Sequence, residues 1–211
     1  DDGAEETAEF LGFTTAARFY QRALIAADAD PELAYLHLIT AGEVLSQAFI
    51  PKNDDRLLDR ELEADLERIT VALADGGKLA RKFRKQLYEV KRRYVATFAA
   101  LVDEAFFDRR EASETYTALP KSDFQAVMKA AYEVRSQNVH RGEVVGRWLR
   151  SLHGRNEIQL GRPVVQEKDL AKALAQGPTL IGLERVTRYA LLRFAESRLG
   201  LDLIIVPQAS S

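Results

Sequence analysis

Arg135 and His140 frame the short segment Arg135-Ser-Gln-Asn-Val-His140, and the pair suggests a particular chemistry. Histidine titrates near neutrality and can pass a proton, while arginine presents a fixed fork of donors to phosphate oxygens. Around one RNA phosphodiester these two groups suffice without a metal. The ribose 2′-hydroxyl attacks the adjacent phosphorus, the imidazole handles the proton, and the guanidinium stabilises the phosphorane-like charge. DNA lacks that hydroxyl and should resist. Asn138, between the two, can orient either the phosphate or the imidazole.

The segment belongs to a helix expected to begin near Phe124 behind a Ser122-Asp123 cap. At about 100° per residue, Phe124, Met128, Ala131 and Arg135 share one face, with Asn138 beside them. A guanidinium therefore points where a core should be. Arginine is rarely buried without partners, so this face borders a polar cleft or interface, or an internal acid holds Arg135. The acid expected is Glu43, the only charge in the middle of a second helix, Pro31 to about Phe49, that is apolar nearly all round. A further constraint is angular. Five residues of ideal helix turn through about 500°, which leaves Arg135 and His140 about 140° apart unless the helix breaks near 138–142.

The rest of the chain reads as helix. Pro and Gly punctuate it at Asp30-Pro31, 51–55, Asp75-Gly76-Gly77, Pro120, 154–163 and Gly177-Pro178. A helix capped by Thr14-Thr15 is expected through about Ala27, and Pro31 suits the first turn of the next. The apolar row Leu79, Phe83, Leu87, Val90, Tyr94, Phe98 and Leu101 predicts a helix of about thirty residues. Leu203 to Val206 is the best strand candidate and is short. The expectation is an all-α bundle of about six or more helices, formed by 1–211 as a single domain, with a substantial loop at 154–166.

Charge is balanced overall and uneven locally. Thirty basic and 32 acidic side chains give a formal charge of −2, so any polyanion site must be local. Residues 54–67 are mainly acidic, whereas 78–93 carry Lys78, Arg81, Lys82, Arg84, Lys85, Lys91, Arg92 and Arg93. The second run reads either as a phosphate-binding stripe with Phe83, Tyr88 and Tyr94 for stacking, or as the partner of the acidic helix in a hairpin. With no cysteine, disulfides, thiolate zinc sites and cysteine nucleophiles are excluded. No compact set of histidines and carboxylates suggests a metal, no Gly-rich loop cradles phosphate, and no cofactor is expected. No apolar run reaches membrane-span length, so a cytoplasmic protein without membrane contact is expected. The chain opens without Met, as a piece of a longer protein would.

Arg135 to His140 fits the R-x4-6-H pattern of the HEPN superfamily, and Tyr132-Glu-Val-Arg-Ser-Gln-Asn-Val-His-Arg-Gly142 resembles its ApeA-like subgroup. Ala16-Ala-Arg-Phe-Tyr-Gln-Arg-Ala-Leu is similar to that subgroup's first helix, and Leu36-His-Leu-Ile-Thr-Ala-Gly-Glu-Val-Leu45 resembles its second. The motif-bearing part is thus 14–142, while 146–211 adds only C-terminal helices. The resemblance implies a metal-independent endoribonuclease that leaves a 2′,3′-cyclic phosphate and a 5′-hydroxyl, with two motifs meeting across a homodimer cleft lined by Arg135 and His140. It also implies a role in anti-phage defence or toxin–antitoxin function, restrained by an antitoxin or an upstream regulatory domain. Arg135, His140 and Asn138 are the expected catalytic residues, with Glu43 and Ser136 in support. Many relatives carry Asn, Asp or His where Ser136 stands. Arg141, Lys82 and Lys85 are the expected substrate-binding residues. The alternative is a noncatalytic HEPN-like module that binds RNA or protein, or a plain helical interaction domain. Arg147 and His153 also satisfy the pattern, but His153 is expected at a helix C-terminus before Gly154, and His37 as a core histidine.

Overall fold

The structure is a computed structural model that describes residues 2–49, 60–73, 75–80, 90–141, 145–150, 154–161 and 163–201; for 2–5, 60–63, 65 and 137–141 it describes the backbone alone. Every regular element among these residues is helical, as expected for an all-α bundle, apart from an isolated bridge between Ile158 and Pro178. The helices are α1 (Asp2–Ala26), α2 (Pro31–Phe49), α3 (Arg60–Ala72), α4 (Val90–Leu101), α5 (Glu104–Asp108), α6 (Phe124–Arg141), α7 (Gly146–Leu149), α8 (Lys168–Gln176) and α9 (Leu180–Leu199), with a 3₁₀ turn at Thr115–Thr117.

α2 is the central element, packed against α1, α4, α6, α7 and α9. Its apolar circumference explains this position, since Ala34, Leu38, Ile39 and Leu45 are all buried. Gly42 lets α4 approach, because a Cβ there would lie 2.5 Å from the Tyr94 ring and 2.6 Å from that of Phe98. The Phe13 and Phe194 rings stack at 6.2 Å where α1 meets α9. A small separate cluster joins Leu66 of α3 to Ala80, with Ile69 against it.

Two helix boundaries differ from the sequence expectation. Thr14 does not cap α1, which already starts at Asp2; its hydroxyl donates back to the carbonyls of Phe10 and Leu11 at 3.0 and 3.1 Å, a bond compatible with a helix interior. The helix that carries the end of the apolar row stops at Leu101, and 81–89 of that row lie outside the described residues. At Asp103 the backbone is extended, and the carboxylate accepts the Phe106 N–H to cap α5. Tyr189 donates to the same carboxylate at 2.5 Å and Arg193 approaches it at 3.5 Å, so α9 fixes the break from outside. Asp103 titrates below its ordinary range chiefly because of the Tyr189 bond, opposed by its own desolvation. α2 does start at Pro31, with Asp30 Oδ1 accepting from the Leu33 N–H at 3.0 Å, and α6 starts at Phe124. Residues 203–206 lie outside the described residues. Among the described residues no helix is long and apolar enough to cross a membrane.

Candidate functional site

α6 runs unbroken through both ends of the Arg-x4-His segment. Phe124, Met128 and Ala131 are buried along one face, and Arg135 follows on that face as its side chain reaches the surface, 30% exposed. The expected contact with Glu43 is present: Arg135 Nη2 lies 3.6 Å from Glu43 Oε2, and the glutamate is 13% exposed. That separation is ionic contact rather than a hydrogen bond. The guanidinium also lies 5.7 Å from the centre of the Tyr132 ring, and its buried Nε has no hydrogen-bond partner. Arg135 is therefore held by charge and packing while its donors stay uncommitted.

The layer beneath is aromatic. The Tyr132 ring lies 5.6 Å from that of Tyr94, whose hydroxyl is fully buried and has no partner. Burial, then the neighbouring Tyr35 and Glu43, hold the Tyr94 hydroxyl far above its ordinary titration range. Tyr35 is equally buried and donates to the Pro178 carbonyl at 3.3 Å.

A cavity of about 250 Å³ opens beside Arg135, between the first turns of α2, the middle of α6 and the end of α7. Leu33, Leu36, Val134 and Leu149 make its walls apolar, while Asp30 and Glu32 bring carboxylates to it. Both acids also have structural duties. Asp30 caps α2, and Glu32 Oε1 accepts from the Val145 and Gly146 N–H groups at 2.7 Å each, which seats α7 on α2.

The structure brings Arg135 and Glu43 together and separates positions 135 and 140. Because α6 is continuous to Arg141, the two positions project about 140° apart, whereas position 138 stays within about 60° of Arg135. The side chains of Asn138, His140 and Arg141 lie outside the described residues, as do Lys82 and Lys85. Ser136 is half-buried, and its hydroxyl makes no hydrogen bond among the described residues. Lys91, from the basic run, pairs with Glu133 of α6 at 2.7 Å. Arg147 is exposed on α7, and His153 lies outside the described residues. His37 is half-buried beside Phe19 rather than a core residue, its ring 5.8 Å from the phenyl ring. Burial, then Arg22, lowers its pKa below 6.5. No cluster of three or more potential metal ligands exists among the described residues.

The most buried ion pair among the described residues was not anticipated from the sequence. Glu157, fully buried in the 154–161 loop, receives Arg185 Nη1 on both carboxylate oxygens at 2.9 Å. It also accepts the N–H groups of Glu111, Ala112 and Leu119 at 3.0, 3.1 and 2.9 Å. Arg185 in turn donates to the carbonyls of Phe106 and Arg109 and lies 3.9 Å over the Phe106 ring. A charge between Leu183 and Val186 on an otherwise apolar helix face was the available signal; an acid in a loop gives none.

Comparison with known proteins finds no matching family model, no similar curated protein and no similar solved structure. The function of this site has to be read from its own residues.

Proposed function

We propose that the chain is a HEPN-like, metal-independent endoribonuclease whose active site forms across a homodimer. The observation that supports this most is Arg135. It stands at the edge of a cavity, partly exposed, held by Glu43 without a hydrogen bond, on the helix that also carries His140. A guanidinium positioned with its donors unspent suits a phosphate better than one whose bonds are all taken.

In this mechanism the 2′-oxygen forms a bond to phosphorus as the bond from phosphorus to the 5′-oxygen breaks. The 2′-proton leaves to a base and the 5′-oxygen gains a proton, giving a 2′,3′-cyclic phosphate and a 5′-hydroxyl with no net redox change. His140 carries the proton transfer, Arg135 holds the charge on the phosphoryl oxygens, and Asn138 orients the group. The angular separation of positions 135 and 140 favours a site assembled from two copies about a two-fold axis. Arg141, Lys82 and Lys85 bind flanking phosphates, and Ser136 stands in for the auxiliary polar residue. Such an enzyme would act in the cytoplasm in defence or toxin–antitoxin function, with an antitoxin or an upstream domain restraining it.

Metal-free cleavage of varied RNAs, compared between wild type, Arg135→Ala and His140→Ala, tests this reading. Wild type should yield cyclic-phosphate ends from RNA and leave DNA intact, and both variants should lose cleavage while keeping the fold and the dimer. One observation favours a second reading. Glu43 already neutralises Arg135, as expected if the segment is only an interface of a noncatalytic module that binds RNA or protein. Absence of cleavage from an intact dimer, with or without the substitutions, would select that reading.

A further inference from the structure

The cavity beside Arg135 has a polarity that the ribonuclease reading does not use. Its walls are mainly apolar, Leu33, Tyr35 and Leu36 from α2 facing Val134 from α6 and Leu149 from α7. Its acidic side is the start of α2, where Asp30 and Glu32 stand; its cationic side is Arg135. About 250 Å³ is below the roughly 300–1,000 Å³ typical of drug-sized pockets and suits one planar base rather than a dinucleotide.

We infer that this cavity is a base subsite that takes a single guanine of the RNA, with the attached phosphate toward Arg135. The inference rests on the proposed handling of RNA and names a specificity element within the same site. Ionised carboxylates only accept hydrogen bonds, so Asp30 and Glu32 repel a phosphate and select a base edge that presents N–H donors. Guanine offers its N1–H and 2-amino donors side by side, matched to one carboxylate. Uracil offers a single N–H between two carbonyls, which the acids disfavour. Asp30 can take this role while capping α2, because the cap engages Oδ1 and among the described residues Oδ2 accepts nothing. The apolar walls supply the contact for the base faces, and the opposed charges order the nucleotide. The base lies toward α2 and the phosphate toward α6.

Binding of short 2′-fluoro oligomers, which cannot be cleaved through a 2′-hydroxyl, separates this from the chemistry. The probes are a uridine oligomer, the same oligomer with one guanosine, and the same with one inosine, which lacks the 2-amino group. Wild type should bind the guanosine oligomer at least about fivefold more tightly than the other two. Asp30→Asn should erase that preference without unfolding, since Asn caps a helix as well as Asp. Leu33→Trp, at a side chain already 40% exposed, should fill the cavity and lower affinity for the guanosine oligomer to the all-uridine level. A wild type indifferent to guanosine, or an Asp30→Asn protein that keeps the preference, overturns the subsite. Cleavage of unmodified RNA is measured alongside. Cleavage without guanine preference removes the subsite and leaves the ribonuclease reading standing. Guanine preference sensitive to Asp30→Asn, without cleavage, does the reverse. No RNA binding at all overturns both.

Discussion

Two glutamate–arginine pairs in this molecule share their chemistry and differ in everything around it. Glu157 and Arg185 are 0% and 5% exposed, and Glu157 receives three backbone N–H groups as well as the guanidinium. Glu43 and Arg135 are 13% and 30% exposed, meet at 3.6 Å, and have the unpartnered Arg135 Nε and Tyr94 hydroxyl around them. A buried pair is tolerable only when its desolvation is offset by full hydrogen bonding, as at Glu157. The looser pair stays partly open to solvent and keeps unspent donors. Saturation fixes backbone segments, whereas incomplete satisfaction leaves a charge available to something else.

The difference should be largest in stability. Glu157→Ala or Arg185→Ala strands a buried opposite charge and should cost about 3–5 kcal/mol, lowering Tm by roughly 6–20 °C in thermal denaturation. A loss below about 1 kcal/mol would show that the network is not the clamp described. Arg135→Ala and Glu43→Gln should cost less, about 1–2 kcal/mol, because this pair meets at 3.6 Å and is partly open to solvent, and their larger effects should fall on RNA binding and cleavage. Tyr94→Phe belongs with them and should be neutral or stabilising by up to about 1 kcal/mol, since it removes a buried hydroxyl without a partner. The smallest effect concerns pH. In the folded protein His37 binds its proton less readily than the free imidazole at 6.5, through burial and then Arg22. As pH falls below 6.5 the unfolded chain protonates first, so the contribution is full above that value and declines toward the lower folded pKa. His37→Gln should flatten this acid-side decline in a Tm-against-pH series.

The helical architecture was legible because α2 is apolar nearly all round and α6 repeats Phe124, Met128 and Ala131 on one face, and Pro31 and Phe124 are real starts. The break at Asp103 was hidden because its cause is remote: Tyr189 and Arg193 act on that carboxylate from a helix more than eighty residues away. Thr14 misled because a threonine hydroxyl suits a cap or a helix interior equally well from local sequence. At the site, Glu43 and Arg135 could be paired because each is the odd charge on an apolar helix face. The cavity beside them could not be read, since it arises where α7 lands on α2 through the Glu32 carboxylate, a contact between residues 113 and 114 positions apart.

The carboxylate of Glu157 gathers groups distant along the chain: its bonds span 28 to 46 residues, and those of Arg185 reach 76 to 79. Closing such loops is entropically slow and is rewarded only once α9 and the 109–119 segment are both in place. The knot should therefore tie after the main folding barrier, and loosening it should shorten the lifetime of the native state while leaving the refolding rate nearly unchanged.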